Sequence, residues 1–117
     1  MKIIRSFAFA INGLKSCFTS ETNFKVHIIV ALVVILLGFV LHISYTEWLI
    51  VIASIAFVIT MEILNTAIEK LCDVVQESFH PGIKKVKDIA AGAVLVSACS
   101  SIIVGAIIFL PKIIHWF

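Results

Sequence analysis

The polar side chains between positions 62 and 73 have the residue types and the spacing that could do chemistry. The sequence of this segment is EILNTAIEKLCD. In an α-helix, four of its polar side chains fall within an arc of roughly 80°. They are Glu62, Asn65, Glu69 and Asp73. The residues between them are mostly apolar, so one helical face is apolar and the other carries an acidic stripe. Such a stripe in a hydrophobic segment predicts a counter-charge, usually a metal ion or a substrate.

Carboxylate oxygens without cysteine or histidine partners suit a hard cation such as Mg²⁺, which often binds through one or two carboxylates plus substrate phosphates. A nearby lysine can hold phosphate oxygens. A carboxylate at bilayer depth can act as a general base towards a lipid hydroxyl. Together these parts indicate phosphoryl transfer from a magnesium nucleotide to a lipid alcohol, without a P-loop because the sequence contains no GxxxxGK[ST] motif. On the residues alone, a cation- or proton-coupled channel or transporter stays open as an alternative, as does a purely structural membrane subunit.

The composition places these residues in a membrane protein. Of the 117 residues, 62% are hydrophobic, and the mean hydropathy is +1.17. A soluble domain is usually nearer half apolar. The formal net charge of +2 gives no electrostatic support to a nucleic-acid partner. No cysteine pair has metal-ligand spacing, and no cleavable signal peptide is predicted.

One surface helix and three spans are predicted to position the acidic stripe. Residues 1–20 carry apolar side chains at steps of three and four, which is typical of a helix lying at a membrane surface. The spans are predicted at residues 23–43, 48–72 and 89–110, with a polar loop at 74–88 before the last one. We therefore expect an all-α membrane protein that forms one domain over residues 1–117.

The basic residues predict the orientation of these spans. Eight of the nine Lys and Arg residues lie in the N-terminal segment or in and beside the second loop, so that side is expected to be cytoplasmic. Three spans then place the N-terminus in the cytoplasm and the C-terminus outside. Glu21, Glu69 and Asp73 share the cytoplasmic interface, and Glu62 lies about 10 Å deeper.

Residues 62–73 resemble the signature E-[LIV]-x-N-[ST]-x-[IL]-E-x-x-x-D of the small bacterial membrane diacylglycerol kinase family, which includes the undecaprenol kinases. Glu21, Lys87 and Asp88 also fall where that family has its remaining polar site residues, and the resemblance covers essentially the whole chain. It implies a homotrimer of three-span subunits in the bacterial cell membrane. It also implies active sites at the cytoplasmic interface between subunits, where ATP and Mg²⁺ serve to phosphorylate a lipid alcohol.

The resemblance implies a role for each matching residue. Glu62 would be the general base that faces the lipid hydroxyl, with Asn65 beside it in the substrate site. Glu21 and Glu69 would be Mg²⁺ ligands that also contact the nucleotide. The other implied nucleotide contacts are Lys87, Asp88, Asp73, Lys2, Phe9 and His80. Where some relatives have Tyr, this chain has Phe9, which offers only a ring for base stacking.

The prediction of which lipid is the substrate rests on residues 23–27, NFKVH. They are similar to the N-[FMA]-[RK]-[IV]-H stretch of the undecaprenol kinase branch, whose histidine the proteobacterial diacylglycerol branch lacks. The resemblance thus favours undecaprenol, with diacylglycerol as the alternative. We expect His27 to be an interfacial hydrogen-bonding residue rather than a metal ligand. We also expect the acidic residues to lack basic partners within the spans.

Overall fold

The computed structural model describes all residues, 1–117, and contains four α-helices and no strand. They are α1 (Lys2–Ser20), α2 (Thr22–Val40), α3 (Tyr45–Val75) and α4 (Pro81–Trp116). The last three are each long and apolar enough to cross a bilayer. The all-helical membrane architecture that the sequence predicts is thereby confirmed. Helices α3 and α4 extend beyond the predicted spans at both ends, whereas α2 ends at Val40, three residues before the predicted end of its span.

The core of the bundle lies where α3 packs against α4, which is the largest interface between helices. Ile43, Val51, Ile108 and Phe109 form a buried cluster near the turn between α2 and α3. Only 15 of the 117 residues are buried, so most apolar side chains of the three long helices point outward. A bilayer or neighbouring subunits would cover such a surface.

The turn between α2 and α3 ends in a capping box that starts α3. The hydroxyl of Ser44 accepts a hydrogen bond from the backbone N–H of Glu47 at 3.2 Å, and the backbone N–H of Ser44 donates to Glu47 Oε1 at 2.9 Å. These bonds satisfy two N–H groups that the first turn of a helix otherwise leaves free. Lys112 Nζ lies 3.1 Å from Glu47 Oε1 and ties the end of α4 to the start of α3.

The prediction of a polar loop at 74–88 is wrong for residues 81–88, because α4 already begins at Pro81. Proline suits the first helical position, since its fixed φ is helical and its missing N–H would have no partner there. His80 Nδ1 accepts a hydrogen bond from the backbone N–H of Gly82 at 3.0 Å and caps the helix. Lys87 and Asp88 therefore stand on a helix, not on a loop.

The first helix leaves its apolar side uncovered. Only Cys17 of α1 is buried, and the apolar side chains that recur along its sequence are between 46% and 73% exposed. They are Ile3, Phe7, Ile11, Leu14 and Phe18. This uncovered apolar side is what a helix lying in a membrane interface would present.

Candidate active site

The first two residues of the acidic stripe, Glu62 and Asn65, lie on the buried side of α3, whereas Asp73 at its end is exposed. Glu62 is 2% exposed and Asn65 is 7% exposed, and the buried Val51 and Val58 lie on the same side nearer the start of α3. Leu64, on the opposite side, is 50% exposed. The inner face of α3 thus changes from apolar to polar towards its C-terminal end, while its apolar outer face is free to meet lipid.

The carboxylate of Glu62 has a single basic side chain within ion-pair distance, that of His27 on α2. Nε2 of His27 lies 3.5 Å from Oε2 of Glu62. No side chain or backbone N–H of the chain donates a hydrogen bond to Glu62. A buried carboxylate with so few partners is costly, and such groups concentrate at functional sites.

Two further carboxylates, those of Glu69 and Glu21, lie close enough to Glu62 to influence it. Asn65 Nδ2 donates a hydrogen bond to Glu69 Oε1 at 3.2 Å. Glu21, at the junction of α1 and α2, lies 4.0 Å from Lys70 Nζ through its Oε1. The charges of Glu69 and Glu21 both act on the Glu62 carboxylate. The structure therefore brings together the predicted base, the two predicted metal ligands and the predicted substrate residue Asn65.

Two buried polar atoms next to Glu62 have no hydrogen-bond partner, namely Asn65 Oδ1 and Thr66 Oγ1. A threonine hydroxyl inside a helix commonly donates to a carbonyl of the preceding turn, and that of Thr66 does not. Buried polar groups are rarely left unpaired. Both atoms are thus free to bind a ligand or a neighbouring subunit. The sequence analysis missed Thr66, although its position about 40° from Glu62 on the helical wheel marks it.

Ion pairs join two of the predicted nucleotide contacts, Asp73 and Asp88, to lysines that lie outside the predicted spans. Lys87 Nζ of α4 lies 2.7 Å from Asp73 Oδ1, and the charge of Glu69 also acts on Lys87. Asp88 is paired with Lys84 of the same helix at 2.6 Å. The pairing of Asp73 with Lys87 could not be predicted from the second span, because the lysine lies on α4.

The remaining predicted nucleotide contacts lie outside this group. Lys2 and Phe9 are exposed, and Lys2 lies about 27 Å along the α1 axis from Ser20, at the end that adjoins the site. Phe9 lies about 16 Å from the same end. His80 is occupied as the cap of α4. Within one chain, these three residues do not converge on Glu62.

Glu62, Asn65, Glu69 and Glu21 are together called the acidic group. A cavity of about 350 Å³ lies beside it, between α2, α3 and α4. Eleven of its 15 lining residues are hydrophobic, and His27 is the one titratable side chain among them. The lining runs from His27 and Val58, one turn from Glu62, to Phe109 in the core cluster. Such a cavity suits the hydrocarbon chain of a lipid whose polar end lies at the acidic group.

No group of three His, Cys, Asp or Glu side chains in the chain is arranged to hold a metal ion by itself. Mg²⁺ in kinase-type sites needs only one or two carboxylates, since substrate phosphates and water supply the other ligands. Glu69 Oε2 has no partner in the chain, and Glu21 has only the distant Lys70. The donor atoms present therefore fit Mg²⁺ brought by a nucleotide.

Comparison with known proteins gives consistent matches. Residues 8–109 match the family described as prokaryotic diacylglycerol kinase. The undecaprenol kinase of Bacillus subtilis is 40% identical over 112 residues, which are 96% of this chain and 91% of that protein. The diacylglycerol kinase of Synechocystis sp. is 34% identical over 113 residues, 96% of this chain and 65% of that protein. The diacylglycerol kinase of Haemophilus influenzae is 32% identical over 108 residues, 92% of each chain.

Proposed function

This chain belongs to the prokaryotic diacylglycerol kinase family and is a membrane lipid kinase, and we propose that it phosphorylates undecaprenol with ATP at the cytoplasmic interface. The observation that carries the proposal is a buried carboxylate, Glu62, next to an apolar cavity between the spans. A lipid alcohol has the matching chemistry, since it presents one hydroxyl at the end of a hydrocarbon chain.

Glu62 is the general base of the proposed reaction. The lipid hydroxyl gives its proton to the Glu62 carboxylate while its oxygen forms a bond to the γ-phosphorus of ATP and the bond to the ADP oxygen breaks. Asn65 lies on the same buried face, and its unpaired Oδ1 can accept a hydrogen bond from the substrate. General base catalysis of this kind contributes roughly 10²–10⁴-fold to the rate.

Glu21 and Glu69 are the proposed ligands of Mg²⁺. The ion, when bound with ATP, would neutralise charge on the transferred phosphoryl group. The two carboxylates hold oxygens without strong partners, which is the donor chemistry that Mg²⁺ prefers. Their shared influence on Glu62 supports a site in which the base and the phosphates are neighbours.

Lys87, Asp88 and Asp73 are proposed to contact the nucleotide, with the phosphates nearest Lys87. The pair of Lys87 with Asp73 holds the lysine at the C-terminal end of α3, on the same side of the bundle as Glu69. A lysine in this position binds phosphate as a point charge.

The complete site is proposed to form in a homotrimer with the N-terminus in the cytoplasm and the C-terminus outside. Lys2, Phe9 and His80 are proposed nucleotide contacts that do not reach Glu62 within one chain. The long exposed apolar faces of the spans are available for neighbouring subunits. Lys2 and Phe9 of α1, with His80 at the start of α4, would then complete the site of another subunit.

Undecaprenol is proposed as the substrate over diacylglycerol. The undecaprenol kinase of Bacillus subtilis shares 40% identity with this chain and the diacylglycerol kinase of Synechocystis sp. shares 34%. The stretch 23–27, which ends in His27, supports the same choice. Diacylglycerol stays the second candidate because the family description and several relatives carry that name.

The test is a turnover assay of purified protein in detergent with ATP, Mg²⁺ and each lipid side by side. We expect phosphorylated undecaprenol to form faster than phosphatidate, and chelation of Mg²⁺ to stop both reactions. A faster reaction with diacylglycerol would reject the substrate proposal. Ion conduction in liposomes without ATP consumption on any lipid alcohol would reject kinase activity altogether.

The role of Glu62 is tested by the Glu62→Gln variant, which keeps the side-chain shape and removes the base. We expect kcat to fall by roughly 10²–10⁴-fold while the variant elutes at the same oligomeric size as the parent protein. The matched control is Glu77→Gln, because Glu77 lies exposed outside the acidic group. A Glu62→Gln protein with full turnover would contradict the assignment of the base.

A further inference from the structure

His27 is the only basic side chain within ion-pair distance of the buried Glu62 carboxylate. Its Nε2 is 3.5 Å from Glu62 Oε2, and the side chains are 24% and 3% exposed. The nearby lysines are engaged elsewhere, since Lys70 and Lys87 pair with other carboxylates. The environment of Glu62 therefore depends on one imidazole from a different helix.

The packing of α2 directs His27 towards α3. His27, Ala31, Val34 and Gly38 recur at steps of four, three and four, which places them within about 60° on the helical wheel. Ala31 and Gly38 are buried, and Ala31 and Val34 line the cavity between the helices. His27 continues this inward face by one turn, so its orientation follows from helix packing and not from a mobile surface rotamer.

The imidazole of His27 also lies at the boundary between the apolar cavity and the polar residues around Glu62. His27 lines the cavity together with Val58, and Glu62 follows Val58 by four residues, about 6 Å along α3. A hydroxyl at the end of a hydrocarbon chain in this cavity would arrive between His27 and Glu62.

Resting on the proposed role of Glu62 as the base, we propose that His27 is a positioning residue that holds the Glu62 carboxylate at the polar end of the cavity, facing the lipid hydroxyl. In the complex with substrate, the 3.5 Å approach of His27 Nε2 to Glu62 Oε2 shortens, so that the ring N–H donates to Oε2. Oε1, which accepts no hydrogen bond within the chain, then stays available for the substrate hydroxyl. The hydroxyl proton passes to Glu62 alone, and His27 takes no part in the transfer.

Replacement of His27 tests this role through the division between kcat and KM. His27→Leu removes the donor at similar size, and we expect kcat to fall about 10²-fold, because a misplacement of the reacting group by about 1 Å has that effect. The KM for ATP should stay within about twofold. His27→Gln keeps an N–H donor of similar reach and should restore kcat to within about tenfold of the parent. The matched control, Val33→Ala, changes an exposed residue of α2 outside the cavity lining and outside the stretch 23–27, and it should leave kcat unchanged.

A double variant separates positioning from general damage to the fold. If His27 acts through Glu62, His27→Leu should lower kcat no further when Glu62→Gln is already present. If His27→Leu does not purify as a folded protein, His27→Gln and His27→Asn decide, since the shorter asparagine should lose about 10²-fold in kcat and the glutamine should not.

Three results would overturn the inference. The first is full turnover of His27→Leu. The second is a fall in kcat on adding His27→Leu to Glu62→Gln that is as large as the fall that His27→Leu causes in the parent protein. The third is equal kcat for His27→Gln and His27→Asn. A fully active Glu62→Gln variant is a different failure, since it removes the proposed base itself and the positioning role with it.

Discussion

Substitution of Gly38 by alanine tests the packing of α2 against the start of α3. A Cβ at this position would lie 2.7 Å from Trp48 Cη2, 3.0 Å from Trp48 Cζ2 and 3.1 Å from Ile43 Cδ1. Carbon atoms in contact prefer about 3.5–4.0 Å, so the indole must move by about 1 Å. The ring is not free to do so without loss, because it packs on Phe39 with a centroid distance of 4.8 Å.

Overpacking of this kind costs about 1–3 kcal/mol, and a strained aromatic pair adds to it. Alanine also has a higher helix propensity than glycine by about 1 kcal/mol, which offsets part of the loss. Gly92→Ala serves as the matched control, because its Cβ would meet nothing within 4 Å. Since both variants gain the same propensity, the difference between them isolates the contact, and we expect Gly38→Ala to be less stable than Gly92→Ala by about 1–3 kcal/mol.

The measurement is the free energy of unfolding in mixed micelles, obtained by titration with a denaturing detergent. A third variant, Gly38→Ala with Trp48→Phe, should recover much of the loss, because the smaller ring withdraws from the new methyl group. Equal stability of Gly38→Ala and Gly92→Ala would refute the close approach of Gly38 and Trp48. Recovery with Trp48→Phe would be absent if the loss had another origin.

Two further predictions concern the ends of the spans. Ser44→Ala should lower the free energy of unfolding by about 1 kcal/mol, because the variant loses the hydroxyl that caps α3; a change below the error of the same detergent titration would contradict the capping role. Lys87→Ala should raise the KM for ATP with little change in detergent stability, since its pair with Asp73 is largely exposed, while Lys85→Ala, which breaks no ion pair, should leave KM unchanged. Equal KM values for the two lysine variants would speak against the proposed phosphate contact.

Much of the fold follows from the sequence, because a long apolar segment in a bilayer must satisfy its own backbone hydrogen bonds and therefore forms a helix. The bounds of helices were less predictable. The basic composition of residues 84–88 indicated a loop, but Pro81 and the cap by His80 start α4 before it. Local capping chemistry outweighed the polarity of the segment, because a helix at a membrane interface tolerates charged side chains.

The acidic group was only partly predictable for a related reason. Spacing along one helix places Glu62, Asn65 and Glu69 on one side. It contains no information about His27, which is 35 residues away in the chain and 3.5 Å away in space. Nor did it reveal that Thr66 would be buried without a partner.

By itself, the sequence determined that three segments are long and apolar enough to cross a membrane. It also determined that carboxylates share one side of the second segment when that segment is helical. Hydropathy and helical periodicity are properties of single segments, so they can be recognised without knowing which helices pack beside each segment. Only the tertiary structure decided that the acidic side of α3 faces inward, with His27 against Glu62 and a cavity beside them. That choice depends on which faces of α2, α3 and α4 meet, and in a chain whose apolar faces can all turn towards lipid, no hydrophobic pattern identifies the inner face.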